Sequence, residues 1–124
     1  MILWLLSCFL LNFQATSPVL WVSSQNYELG EVLHREPKTI YYKFKNITKK
    51  PILVDNVRAD CGCTTPFWPD SPILPDSVGA ITVKYNAWNK GNFDKKIKVF
   101  FHSFDKPEVL HLKGKVVKEF DEDE

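Results

Sequence analysis

The sequence predicts an all-β chain built as a two-layer sandwich of antiparallel strands with Greek-key connections. Three observations carry this expectation. Apolar and polar residues alternate with a period of two in several separate runs. Turn-forming residues divide the runs at spacings too short for a crossover helix. Beyond the first eleven residues, strong helix formers do not gather at helical spacing.

Taken in order, Val19 to Val22 and Tyr27 to Val32 are short, weakly patterned strand segments. The clearest run sets Ile40, Tyr42 and Phe44 against Thr39, Tyr41, Lys43 and Lys45, one face for a core and one for water. Asn46 to Pro51 makes a turn, and Ile52 to Val57 supplies another strand. Pro66, Pro69, Pro72 and Pro75 then recur at every third position. They fix φ and restrict each preceding residue, so this segment is expected to be an extended loop. Ile81, Val83 and Tyr85 alternate with Thr82, Lys84 and Asn86. After a turn at Asn89-Lys90-Gly91-Asn92, Phe93, Ile97, Val99 and Phe101 alternate with Asp94, Lys96, Lys98 and His102. Phe104-Asp105-Lys106-Pro107 turns the chain into a last strand, Val109 to Val117. About seven strands result, the number expected of an immunoglobulin-like β-sandwich. Trp21 and Trp88 are expected in or beside the core.

The 124 residues, 44% apolar and 25% charged, suit one domain able to bury a core without metal or disulfide staples. Collagen-like, disordered and disulfide-scaffold classes are excluded. Five of the 15 acidic residues occupy the last six positions, leaving 16 basic against 10 acidic residues elsewhere, about +6. The expected division is a signal peptide or membrane-anchor segment over 1–17, the sandwich over 18–118 and an acidic tail over 119–124.

No charged side chain occurs from Met1 through Asn26, and Met1 to Leu11 is apolar at the length of a signal-peptide core. Export to a periplasm, outer membrane or cell surface is the resulting expectation. Leu5-Leu6-Ser7-Cys8 is similar to a lipobox, which makes Cys8 a candidate lipidation site. The run is shorter than the ~20 residues of a spanning helix. Cleaved secretion, a lipoprotein and a retained anchor therefore stand as alternatives, and contact with a membrane is expected only through this segment.

Chemistry centres on Asp60-Cys61-Gly62-Cys63-Thr64-Thr65. In an extended segment two cysteines one residue apart share a face, with α-carbons at most ~7 Å apart. A disulfide between them therefore needs a tight turn, which Gly62 can supply. Four readings remain open: a disulfide or redox pair at Cys61 and Cys63, a Cu(I) site using the same two soft thiolates, linkage to a partner, or inert packing. The spacing is neither the Cys-x-x-Cys of a thioredoxin-like site nor the four-ligand set of structural zinc. His34, His102 and His111 are too scattered in sequence to claim as partners.

A family resemblance rests on these residues and their setting. Phe44-Lys45-Asn46, Pro51-Ile52-Leu53-Val54, Val57, Cys61-Gly62-Cys63-Thr64-Thr65-Pro66, Pro75, Gly79, Ile81, Val83, Tyr85, Gly91, Phe93, Lys96, Ile97, Val99 and Leu110 to Gly114 resemble the bacterial domain of unknown function 1573. The likeness runs over about Tyr27 to Val117. It implies an immunoglobulin-like sandwich in exported, often lipid-anchored proteins with no agreed activity. Asp76 stands where the family usually has glycine, and His102-Ser103-Phe104 replaces a usual Ser-Asn pair. The wider pattern resembles pilus-chaperone, ciliary and sperm-protein sandwich modules, which bind other proteins, a likeness of fold alone.

Lys43, Lys45, Lys84, Lys96 and Lys98 occupy outward positions of alternating strands, where solubility and edge protection account for them, so no nucleic-acid partner is expected. Trp68, between Phe67 and Pro69, is a candidate partner-binding anchor that a proline-rich loop presents at small entropic cost, although folding back over the core is the more ordinary reading. Asn46-Ile47-Thr48 fits an N-glycosylation sequon and Asp76-Ser77-Val78 a bacterial O-glycosylation sequon. No Gly-x-Ser-x-Gly, His-Glu-x-x-His, phosphate loop or paired carboxylates occur, so no catalytic residue is assigned. The expectation is an exported, non-catalytic binding or structural module of the bacterial envelope with a protein partner and no cofactor. A Cu(I)-binding or thiol-redox protein using Cys61 and Cys63 is the alternative.

Overall fold

A computed structural model of the chain describes residues 17–120; nearly all of the segment expected to be a signal peptide or anchor, with Cys8, and the last four acidic residues lie outside this range. Eight strands form in order: β1 (Val19–Trp21), β2 (Asn26–Leu33), β3 (Lys38–Asn46), β4 (Val54–Ala59), β5 (Thr64–Phe67), β6 (Val78–Tyr85), β7 (Gly91–Phe101) and β8 (Glu108–Val117). They make two four-stranded sheets. The first has the order β1-β3-β6-β5 and the second β2-β8-β7-β4. The immunoglobulin-like sandwich expected from the pattern is the fold observed.

Alternation decides which residues lie between the sheets. Tyr42, Phe44, Ile81, Val83 and Tyr85 from the first sheet meet Ile97, Val99, Leu110, Leu112 and Val116 from the second, each at most 2% exposed. Removing a large apolar side chain from water is worth roughly 1.5–3 kcal/mol, so this double row supplies most of the driving force. Specific contacts fix how the layers meet. Phe44 packs edge-on against Phe101 at 5.4 Å, and Tyr85 stacks on Phe93 at 4.3 Å. The Tyr42 hydroxyl crosses the core to donate to the His111 carbonyl at 2.7 Å. Burial raises the phenol pKa of both Tyr42 and Tyr85, and neighbouring Tyr27 raises Tyr42 further.

Four features differ from the sequence expectation. There are eight strands rather than about seven, because Thr64–Phe67 pairs with β6 where the proline spacing suggested only loop. Pro66 lacks an N–H to donate, and β5 tolerates it because it is an edge strand with a partner on one side only. The strand expected over Ile52 to Val57 begins instead at Val54. Ile52 forms a separate two-hydrogen-bond bridge with Ile73. Moreover, β2 runs parallel to β8, so the second sheet is mixed. Trp88 is 65% exposed, not core or half-buried, whereas Trp21 is half-buried against Phe44.

Asn46 has a role that its sequon-like setting conceals. It is fully buried at the end of β3. Its Nδ2 donates to the carbonyls of Lys50 and Ile73, and its Oδ1 accepts from both the backbone N–H and the hydroxyl of Thr48. The same amide that a glycan would occupy thus ties the 46–50 turn to the segment entering β6. Nearby, Asp76 takes a positive φ of 61°, and Ser103 one of 67°. Both positions take the left-handed backbone that glycine or asparagine adopts most readily.

Asn46→Ala strands two carbonyls and the Thr48 donors, and is expected to lower unfolding free energy by about 3 kcal/mol in urea titrations. The tyrosines set an alkaline limit. Above about pH 10 the phenol of Tyr42 ionises in the unfolded chain while it stays protonated in the core, so stability falls by roughly 1.4 kcal/mol per pH unit for this group. Urea midpoints between pH 9 and 11 are expected to fall less steeply in Tyr42→Phe than in the parent chain.

Candidate functional site: the cysteine corner

The chain leaves the second sheet at Ala59 and joins the first at Thr64, so Asp60 to Cys63 must turn between layers in four residues. Backbone hydrogen bonds define the path. Asp60 N–H donates to Lys96 O at 3.2 Å, Thr64 N–H closes the turn on Cys61 O at 3.2 Å, and Asn86 N–H donates to Cys63 O at 3.0 Å. This turn shortens the Cα–Cα separation of the two cysteines to 5.2 Å and they form a disulfide. The bridge closes over the turn that the sequence reading required of it.

The two sulfurs sit in different surroundings. Cys61 Sγ accepts from the Cys63 N–H at 3.2 Å. Cys63 packs against the hydrophobic core, with its Sγ 3.6 Å from the hydroxyl of buried Thr64. Gly62 between them is exposed, and a Cβ placed on it would meet nothing within 4 Å. In the bridged state neither sulfur is a thiolate, so a Cu(I) site would draw on the reduced pair. No group of three or more His, Cys, Asp or Glu side chains converges among the described residues. His34 meets the Trp88 carbonyl, His102 pairs with Asp55 at 3.1 Å, and His111 lies 3.6 Å from Asp94.

Beside the corner, on the outer face of the second sheet, Arg58, Ala59, Asp60, Lys96, Lys98 and Phe100 line an open groove of about 350 Å³. Arg58 stands directly opposite Lys98 in the β4–β7 register and leans over the Phe100 ring, 5.9 Å from its centroid. A like-charged cross-strand pair opposes sheet pairing, a cost set against the contact of Arg58 with the Phe100 ring. Sequence reading placed the β7 lysines outward but could not find this pair, because the facing of Arg58 and Lys98 is set by strand register.

The outer face of the first sheet is of another kind. Phe67, Thr82 and Tyr41 fall in one row across β5, β6 and β3, and Val78, Lys45 and Leu20 fall in another across β6, β3 and β1. Leu20, Tyr41, Phe67 and Val78 are each more than half exposed. The four strands contain Lys38, Lys43, Lys45 and Lys84 and no carboxylate. Trp68 follows Phe67 at the rim and is 37% exposed.

Comparison with known proteins agrees with this architecture. Residues 20–116 match the model of a family described as a protein of unknown function, DUF1573. The chain belongs to that family. No curated protein matches it. Among solved structures, a protein of unknown function from Porphyromonas gingivalis W83 aligns with a TM-score of 0.67 and 13% identity over 85% of this chain. The chain spans 51% of that protein. The ASH/PapD-like domain 7 of human CEP192 aligns with a TM-score of 0.71 at 7% identity, over 90% of this chain and 95% of that one. The YadV chaperone aligns at 0.58 with 15% identity, over 81% of this chain and 52% of its own length. At such identities the likeness is one of fold.

A disulfide spanning three residues removes little entropy from the unfolded chain, about 1.6 kcal/mol at 25 °C on the loop-closure relation. The double variant Cys61→Ser/Cys63→Ser is therefore expected to remain folded and to lose no more than about 2 kcal/mol in denaturant titration. A loss of the folded state would show that the bridge, rather than the backbone hydrogen bonds, holds the corner.

Proposed function

We propose that this DUF1573 domain is an exported, non-catalytic binding or structural module of the bacterial cell envelope, and that it holds a protein partner through the outer face of its first sheet. The observation that carries the reading is that Leu20, Tyr41, Phe67 and Val78, each more than half exposed, share one outer face, with Tyr41 and Phe67 on either side of Thr82 and Leu20 and Val78 on either side of Lys45, on strands that carry lysines and no carboxylate. Single exposed apolar residues are ordinary on protein surfaces, whereas rows of them rimmed by polar groups mark contact sites. Tyr41, Phe67 and the adjoining Trp68 are residue types enriched at the centres of interfaces. The lysines suit a partner surface with acidic groups around an apolar centre. Export is supported by the uncharged, apolar start of the chain, which runs toward β1 at the edge of the same sheet.

A photo-crosslinking residue placed at Tyr41 or Phe67 in cells that make the full chain is expected to yield a discrete adduct. The same residue at Lys115, exposed on β8 of the other sheet, is expected to yield none. Equal labelling at all three positions, or none at Tyr41 and Phe67, would remove the basis for this reading.

A further inference from the structure

We propose that Cys61 and Cys63 form a thiol–disulfide exchange site for a peptide or protein dithiol flanked by acidic residues. This goes beyond the docking face on the first sheet and does not depend on it. Backbone hydrogen bonds of Asp60, Thr64 and Asn86 fasten the corner alongside the bridge, so the fold is expected to accommodate the reduced pair as well as the oxidised one. Exposed Gly62, with open space around its missing side chain, leaves an approach to the sulfurs.

The surroundings distinguish the two cysteines. The Cys63 N–H donates to Cys61 Sγ, while Cys63 rests against the core beside the Thr64 hydroxyl. Cys61 is the exchanging sulfur and Cys63 the resolving one. A partner thiolate attacks Cys61 Sγ. The bond to Cys63 breaks, a mixed disulfide joins partner and Cys61, and Cys63 leaves as a thiolate that takes a proton. A second partner thiolate then attacks the partner's own sulfur in that mixed disulfide and releases Cys61, which is protonated in turn. The partner loses two electrons and two protons to become a disulfide, and the cysteine pair gains both. The reverse sequence with oxidised glutathione closes the bridge again.

The groove on the outer face of the second sheet, which includes Asp60 just before Cys61, indicates the partner's charge. Arg58, Lys96 and Lys98 face one carboxylate, Asp60, the residue before Cys61. The opposed Arg58 and Lys98, unfavourable in the isolated sheet, are relieved by an acidic segment laid across them.

The test uses the full chain with Cys8→Ser, so that only the pair exchanges. Equilibrated in mixtures of reduced and oxidised glutathione, then alkylated and weighed, it is expected to open and close its bridge reversibly while near-ultraviolet circular dichroism reports a folded domain throughout. In the Cys63→Ser form, Cys61 is expected to capture an acid-flanked peptide disulfide about tenfold faster than a lysine-flanked one. Arg58→Gln/Lys98→Gln is expected to erase that preference. A bridge that opens only when the domain unfolds, or equal capture by Cys61→Ser and Cys63→Ser, overturns the exchange site. Equal rates with the two peptides overturn the acidic partner. Crosslinking at Tyr41 reports on the other face and is unaffected by either result.

Discussion

The structure depends on apolar rows from two sheets closing on one another, and on the few contacts that prevent those rows from sliding. Hydrophobic burial alone is indifferent to how Val83 or Val99 is aligned, because it scales with area and carries no direction. Direction comes from Phe44 against Phe101, Tyr85 on Phe93 and the Tyr42 hydroxyl reaching the His111 carbonyl. Each joins one sheet to the other. Together they turn a greasy interface into one alignment, and that alignment places the corner residues where β4 can hand over to β5.

Buried polarity supplies the second level of order. Asn46 satisfies four hydrogen-bonding groups from a position with no access to water, and unmade bonds of that kind are costly. Its amide joins the Lys50 turn to Ile73, while the Ile52–Ile73 bridge continues the tie toward β4. The loop rich in proline is therefore anchored at Ile73, and pairing with β6 holds β5 at the sheet edge.

The legible part of the fold was the part governed by alternation. Ile40, Tyr42 and Phe44 could be assigned to a core from sequence because every second side chain of a strand shares one environment. Pro66 hid β5, since proline argues against a strand until one knows that the strand is an edge. The mostly exposed β2 has too little burial contrast to show a pattern, and nothing local in it says that it pairs in parallel with β8. At the cysteine corner, the chemistry of the pair and its need for a turn were readable. The unequal surroundings of the two sulfurs were not, because they depend on Thr64 and on packing across the sandwich. Asn46 presents the reverse case: an apparent modification motif proved to be a buried hydrogen-bond centre. The rows of Tyr41 with Phe67 and of Arg58 with Lys98 are likewise products of register.

The parallel pairing of β2 with β8 also constrains the order in which the domain forms. The side chain of Gln25 reaches Val109 across 84 positions, and β2 has no other neighbour in its sheet. As the chain emerges from the ribosome, this early strand must wait unpaired until nearly the whole domain has been synthesised. Hairpin β7–β8 can assemble from neighbours, but the layer is completed only by a contact that bears the entropy of a very long loop. Completion of the domain is thus tied to arrival of its C-terminal strand, and a nascent chain stalled before β8 leaves the flank of the second layer open.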